Sequence, residues 1–334
     1  MGSNFFMRNT TQREEIIEGI IREDQIAPFT GAYGMCKSPT MADITMCRLN
    51  GIPWCGRVVQ KGPVIVFDFE TPGPKYKQDM YNLAKRYRVP LPKVPDELEV
   101  YLEHDDSKED ATKVLLGLLE QSIDYRIGFL GERLKKKPNA LIIIDPFELF
   151  FPIDKNKGQD VTKLFHKLKR LLSEYPKAAI ISAFNMRKKD RRGKAPNLLT
   201  NPRDWLEDNS GSNDIQSRSD VRLGIDMYDD SKGIRVINGI RRGEEMKPMF
   251  IRPHILDDGN LAGFEQATDI DLSIRDALTD TQFTHWTKLP EEFKFEDVVS
   301  KKLVPRSSLH YLTKRAEEAG FLEQGKDDVW RKVA

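Results

Sequence analysis

The chain has 334 residues, with 53 Lys and Arg against 52 Asp and Glu and a formal charge of +1, so contact with nucleic acid has to come from local basic patches rather than a whole-protein field. Its 39% hydrophobic residues suit a globular protein of about two domains. No apolar run nears the roughly 20 residues of a membrane helix; the best candidate, Ala140 to Ile153, is broken by Asp145, Pro146 and Glu148. Three cysteines, Cys36, Cys47 and Cys55, fit neither a complete disulfide set nor a zinc spacing, and read as reduced thiols of a cytoplasmic protein.

In chain order, Thr10 to Asp24 reads as a helix capped by Thr10 or Thr11, with Ile16, Ile17, Ile20 and Ile21 on one narrow face that packs on its own domain or on a neighbour. A short apolar run, Gln25 to Phe29, then leads into GAYGMCKS and an amphipathic segment, Thr40 to Leu49. A glycine-rich turn between strand and helix points backbone N–H groups at one spot, where the helix terminus adds positive potential: a phosphate site. Gly31 opens this loop, Gly34, Met35 and Cys36 continue it, and Lys37 and Ser38 take the places that contact the outer phosphates of a nucleotide and its magnesium ion. Cys36 replaces the glycine expected before the lysine, which puts tight phosphate packing or full hydrolysis in question.

VIVFDFE, Val64 to Glu70, is an apolar β-branched run ending in acid, as in a buried parallel strand whose carboxyl end carries chemistry. Lys75 to Tyr87 reads as a helix, Leu98 to Leu102 as a strand and Asp110 to Leu134 as one long helix. ALIIIDP ends a further strand at Asp145; a helix from Asp160 to Tyr175 and a strand from Ala178 to Phe184 follow. Strands alternating with helices predict an α/β fold with a mostly parallel sheet. In such a sheet Asp145 would stand beside Ser38 to hold magnesium, and Glu70 is placed to polarise a water attacking the terminal phosphate of a bound nucleotide.

RKKDRRGK supplies Lys188, Lys189, Arg191 and Arg192, which suit phosphate contacts or a solvated charge run. Strands at Val221 to Ile225, Ile234 to Ile240 and Met249 to Arg252 read as antiparallel hairpins, and Leu256 to Thr279 as a linker. The resulting division is an N-terminal helical segment (1–24), an ATPase domain (25–255), a linker (256–279) and a compact C-terminal unit (280–334).

GAYGMCKS, NGIPWCGR, VIVFDFE, ALIIIDP and AIISAF together resemble the RecA-fold ATPases of the RepA type, hexameric replicative helicases of plasmids and related mobile elements. The resemblance spans about Ile26 to Arg252. It implies a RecA-like sheet flanked by helices, ATP and Mg2+ as cofactors, Lys37 and Ser38 as their ligands, Glu70 as the catalytic carboxylate and Asp145 as the magnesium-binding acid. It further implies Asn185 as a polar sensor, and Arg241 or Arg242 as an arginine finger reaching a neighbour's phosphates. The resemblance also implies a homo-oligomer, a hexameric ring that would hold single-stranded DNA in its pore through the basic run.

The C-terminal unit reads as a helix (FKFEDVVSKKL), a turn, a second helix (SSLHYLTKRAEEAG) and a two-stranded wing turning at Gly325 and Lys326, which resembles a winged helix-turn-helix. Arg306, Ser307, His310, Tyr311 and Lys314 lie on its outward face for duplex DNA; docking to a replication or element-encoded protein is the other reading. For the whole chain an ATP-dependent DNA motor stands against a nucleotide-responsive DNA-binding regulator that hydrolyses ATP poorly.

Overall fold

The computed structural model describes residues 13–94, 96–102, 110–153, 157–186, 197–209, 213–268, 278–325 and 327–333. Its elements are, in order, β1 (Glu15–Ile17), β2 (Ile21–Arg22), β3 (Ile26–Gly31), α1 (Lys37–Asn50), β4 (Val64–Asp68), α2 (Gly73–Tyr87), β5 (Leu98–Leu102), α3 (Asp110–Leu119), α4 (Ile123–Lys136), β6 (Leu141–Asp145) and α5 (Phe147–Phe150). They continue with α6 (Gly158–Glu174), β7 (Ala179–Asn185), α7 (Pro202–Asn209), α8 (Asn213–Arg218), β8 (Val221–Asp229), β9 (Ile234–Arg241), β10 (Glu244–Glu245), β11 (Met249–Ile255) and β12 (Leu261–Gln266). The C-terminal unit holds α9 (Asp280–Trp286), β13 (Glu292–Lys294), α10 (Phe295–Ser300), α11 (Arg306–Glu318), β14 (Leu322–Gln324) and β15 (Val329–Lys332).

Among the described residues one large sheet runs β12-β11-β9-β8-β3-β7-β6-β4-β5, with β10 added to β9. From β8 to β5 every pairing is parallel, and from β8 to β12 every pairing is antiparallel. The fold is therefore α/β, a mostly parallel RecA-like sheet flanked by helices. The central strands are buried on both faces, as their continuous apolar runs require. Val64, Val66, Ile143 and Ile181 face one core with α1 and α2; Ile65, Phe67, Ile142 and Ile180 face a second core with α3 to α6.

Four expectations are corrected. The leading segment is a hairpin, β1 with β2, rather than a helix. Gly19 turns it at φ 68°, and Ile16, Ile17, Ile20 and Ile21 are all at most 3% exposed. Burying each isoleucine is worth about 1.5–3 kcal/mol, against the few tenths by which helix propensities differ, and Gln60 N donating to Ile16 O extends the pairing to the 58–60 segment. The long helix is two helices, α3 and α4. Ser122 caps the second by accepting from Tyr125 N at 3.2 Å, and the Arg126 guanidinium donates to Gln121 O at 3.1 Å across the break.

The expected linker contains β12, the sheet's outer strand. Its outward edge is covered from α2, where Arg86 donates to Ala262 O at 2.8 Å and Phe264 O at 2.7 Å, and from α1, where Asp43 accepts from Phe264 N at 2.8 Å. The large sheet thus extends to Gln266 rather than ending at 255. Lastly, FKFEDVVSKKL divides into β13 and the shorter α10, because Phe293 pairs with Trp330 and closes a three-stranded sheet, β13-β15-β14.

Candidate active site

Gly31 ends β3, and a Cβ on it would stand 2.6 Å from Ile225 Cγ2 and 3.0 Å from Ile225 O. Only glycine fits where the chain leaves the sheet between β7 and β8. Gly34 follows at φ 82° and Cys36 at φ 65°, ψ 35°. Cys36 therefore adopts the left-handed conformation a glycine would take freely, at a cost of about 1–2 kcal/mol. Its carbonyl accepts from Thr40 N at 3.0 Å and Thr40 Oγ1 at 2.7 Å, which holds the first turn of α1. Pro39 lies in that turn, where its missing N–H has no partner to lose.

Lys37 is buried at the start of α1, its Nζ donating to Gly31 O at 2.9 Å and Ala32 O at 3.2 Å. Burial pulls its ammonium below the ordinary lysine range, opposed by the negative charges of Asp145 and Glu70. Asp145 ends β6. Its carboxyl is pushed up to about 7, first by burial and then by Asp68, while the Ser38 hydroxyl bonded to it acts in the opposite sense. Asp145 Oδ2 is buried with no hydrogen-bond partner. An orphan carboxylate oxygen and the Ser38 hydroxyl form an all-oxygen pair of the kind Mg2+ takes together with water and substrate phosphates. No group of three or more His, Cys, Asp or Glu suited to a metal occurs among the described residues.

Glu70 lies two residues beyond β4, exposed in a cleft of about 660 Å³ shared with Tyr33, Lys37, Ser38, Asp68 and Asn185. Strands β4 and β6 are neighbours, so Glu70 and Asp145 leave the same edge of the sheet. Asn185 ends β7 as the register partner of Gly31. The loop residues Gly31 to Ser38, Glu70, Asp145 and Asn185 are thus together.

Arg241 and Arg242 are elsewhere. Arg241 pairs with Val221 at the start of β8, whereas Gly31 pairs with Ile225; four residues of strand put the two about 13 Å apart along the sheet. Arg241 is tied to Glu15, and Arg242 is exposed in the turn before β10 at φ 53°. The basic run with Lys188, Lys189, Arg191 and Arg192 lies outside the described residues. On α11, Ser307, His310, Tyr311 and Lys314 are exposed, while Arg306 is held by Glu296 at 2.5 Å.

Sequence reasoning passed over Asp68, the register partner of Asp145. Its signal was present in VIVFDFE, where an acid occupies the last strand position two residues before Glu70.

A family model described as AAA domain matches residues 3–189, more than half of the 334-residue chain. No curated protein matches the chain. The match covers the loop, both acid-bearing strands and Asn185, and identifies a RecA-like P-loop domain of the ATPase type. No described helix is long and apolar enough to cross a membrane.

Proposed function

We propose that this chain, which belongs to the AAA domain family, hydrolyses ATP in the cleft above β3, β4 and β6 and uses the reaction as an oligomeric motor on DNA. The observation that carries the reading is the convergence of Lys37, Ser38 and Glu70 on one cleft, with Asp145 bonded to Ser38 beside it. Loop amides and Lys37 bind the outer phosphates. Ser38 and Asp145 hold Mg2+, which supplies charge neutralisation on the phosphates when bound. Glu70 orients the attacking water and accepts its proton at the carboxylate. Asn185, at the cleft wall, senses the terminal phosphate.

An arginine finger on this chain cannot serve its own cleft, since Arg241 and Arg242 leave the opposite side of the sheet; it serves a neighbouring copy, in keeping with a ring. Arg242 suits the task better than Arg241, which Glu15 engages. In the C-terminal unit, helix, strand, two helices and two strands with sheet order β13-β15-β14 support a winged helix, with α11 offered to duplex DNA and the basic run to single strands. Cys36 in a left-handed conformation favours the second reading, a nucleotide-responsive regulator with slow turnover. Single-turnover phosphate release with and without single-stranded DNA separates them: stimulation supports the motor, and slow, unstimulated release supports the regulator.

A further inference from the structure

We propose that Asp68 is a positioning residue for Glu70, fixing the turn that presents Glu70 to the cleft. The chemistry of this inference rests on the hydrolysis reading above; its geometry does not. Asp68 is the last residue of β4 and 4% exposed. Its Oδ1 accepts from Glu70 N at 3.0 Å and from Thr71 N at 2.8 Å. Phe69 N still donates to Asp145 O at 2.8 Å, so the chain leaves the sheet with three successive amides anchored. The first is held by the neighbouring strand and the next two by one carboxylate oxygen, a side-chain-closed turn of the kind Asp favours. Glu70 carries no such anchor on its own side chain, which is exposed. A general base has to come within about 2.6–3.2 Å of the proton it takes, so the turn decides whether Glu70 is in reach.

Asp68 also stands beside Asp145 in register, which offers a competing role as a second negative charge at the metal site. The two roles need different things from the side chain. A turn needs an acceptor at this distance from the backbone; a metal site needs the charge. Asp68→Asn keeps the acceptor and removes the charge, while Asp68→Glu keeps the charge and displaces the acceptor by one methylene.

The experiment measures ATP turnover, affinity for a fluorescent ATP analogue, and hydrogen exchange of the Glu70 and Thr71 amides in the full-length wild type and both variants. Positioning predicts that Asp68→Asn retains most turnover and amide protection. Asp68→Glu loses protection at both amides and at least about tenfold in kcat, part of the ~10²–10⁴-fold that a general base supplies, with nucleotide affinity unchanged. An Asp68→Asn protein as slow as Lys37→Ala would overturn the proposal, as would full turnover by Asp68→Glu. Wild type that binds ATP without releasing phosphate would count against the hydrolysis reading instead, and the exchange data would still judge the turn: unaltered protection in Asp68→Glu overturns it. If Asp68→Glu does not fold, the Asp68→Asn result alone decides.

Discussion

Arg241 Nη1 lies 2.8 Å from Glu15 Oε1, an ion pair that fastens the leading hairpin to the far end of β9. Glu15 also takes Arg22 at 3.1 Å and Gly19 N at 2.9 Å, so Arg241 is one part of a structural knot and its neighbour Arg242 is the exposed one. Arg241→Ala is expected to cost about 1 kcal/mol or less, as a partly exposed pair does, with turnover retained. Arg242→Ala is expected to lower turnover by about 10³-fold, the lower range for a lost arginine finger, and mixing it with Glu70→Gln protein should recover activity at mixed interfaces. Concentration-independent turnover by a demonstrated monomer would show that no finger is shared.

Cys36→Gly relieves the left-handed cysteine. The gain of about 1–2 kcal/mol is offset by roughly 0.5–1 kcal/mol for glycine's freedom in the unfolded chain, so stability should rise by about 1 kcal/mol in urea unfolding. Turnover should rise as well. Unchanged turnover would mean that the loop already holds phosphates as tightly with cysteine.

Asp43 of α1 is fully buried against Phe264 N, Tyr87 OH at 2.8 Å and Arg86 at 3.7 Å, with Cys47 and Cys55 nearby. Burial pushes its carboxyl up to about 6 from 3.8, although Arg86 opposes this. The folded state thus holds a proton that the unfolded chain has released. Asp43 therefore favours folding at low pH and loses that contribution as pH rises from about 4 to about 6. Urea midpoints of wild type should fall across this window, and Asp43→Asn should flatten the fall. A wild-type slope of the opposite sign, unaltered in Asp43→Asn, would contradict the assignment.

Lys314→Ala together with Tyr311→Ala should weaken duplex DNA binding and lower its salt slope by about 0.9 for the one phosphate contact removed, leaving basal ATP turnover unchanged. Point changes are preferred to truncation because Arg315 of α11 reaches Leu199 O at 3.2 Å and Glu245 at 3.7 Å in the larger unit. Fluorescence anisotropy across a salt series reads the effect; undiminished duplex affinity would make the unit a protein-docking module.

The parallel strands and the loop were legible because their signals are local: apolar runs ending in Glu70 or Asp145, and glycines before Lys37. The hairpin was hidden because Ile16, Ile17, Ile20 and Ile21 satisfy a helical face as well as a turn about Gly19. Strand β12 was hidden because LAGFEQ is short, contains a glycine and ends in two polar residues, and its edge partners, Arg86 and Asp43, come from helices far away in sequence. Asp68 was visible as a residue, yet its task is set by backbone amides that no side-chain pattern displays.

The most direct measurement of the central claim is ATP binding and phosphate release by wild type, Lys37→Ala and Glu70→Gln under one set of conditions with Mg2+. Hydrolysis in the cleft predicts that Lys37→Ala loses binding or turnover, and that Glu70→Gln binds ATP like wild type yet releases phosphate at least about 10²-fold more slowly. Wild-type phosphate release by Glu70→Gln would contradict it.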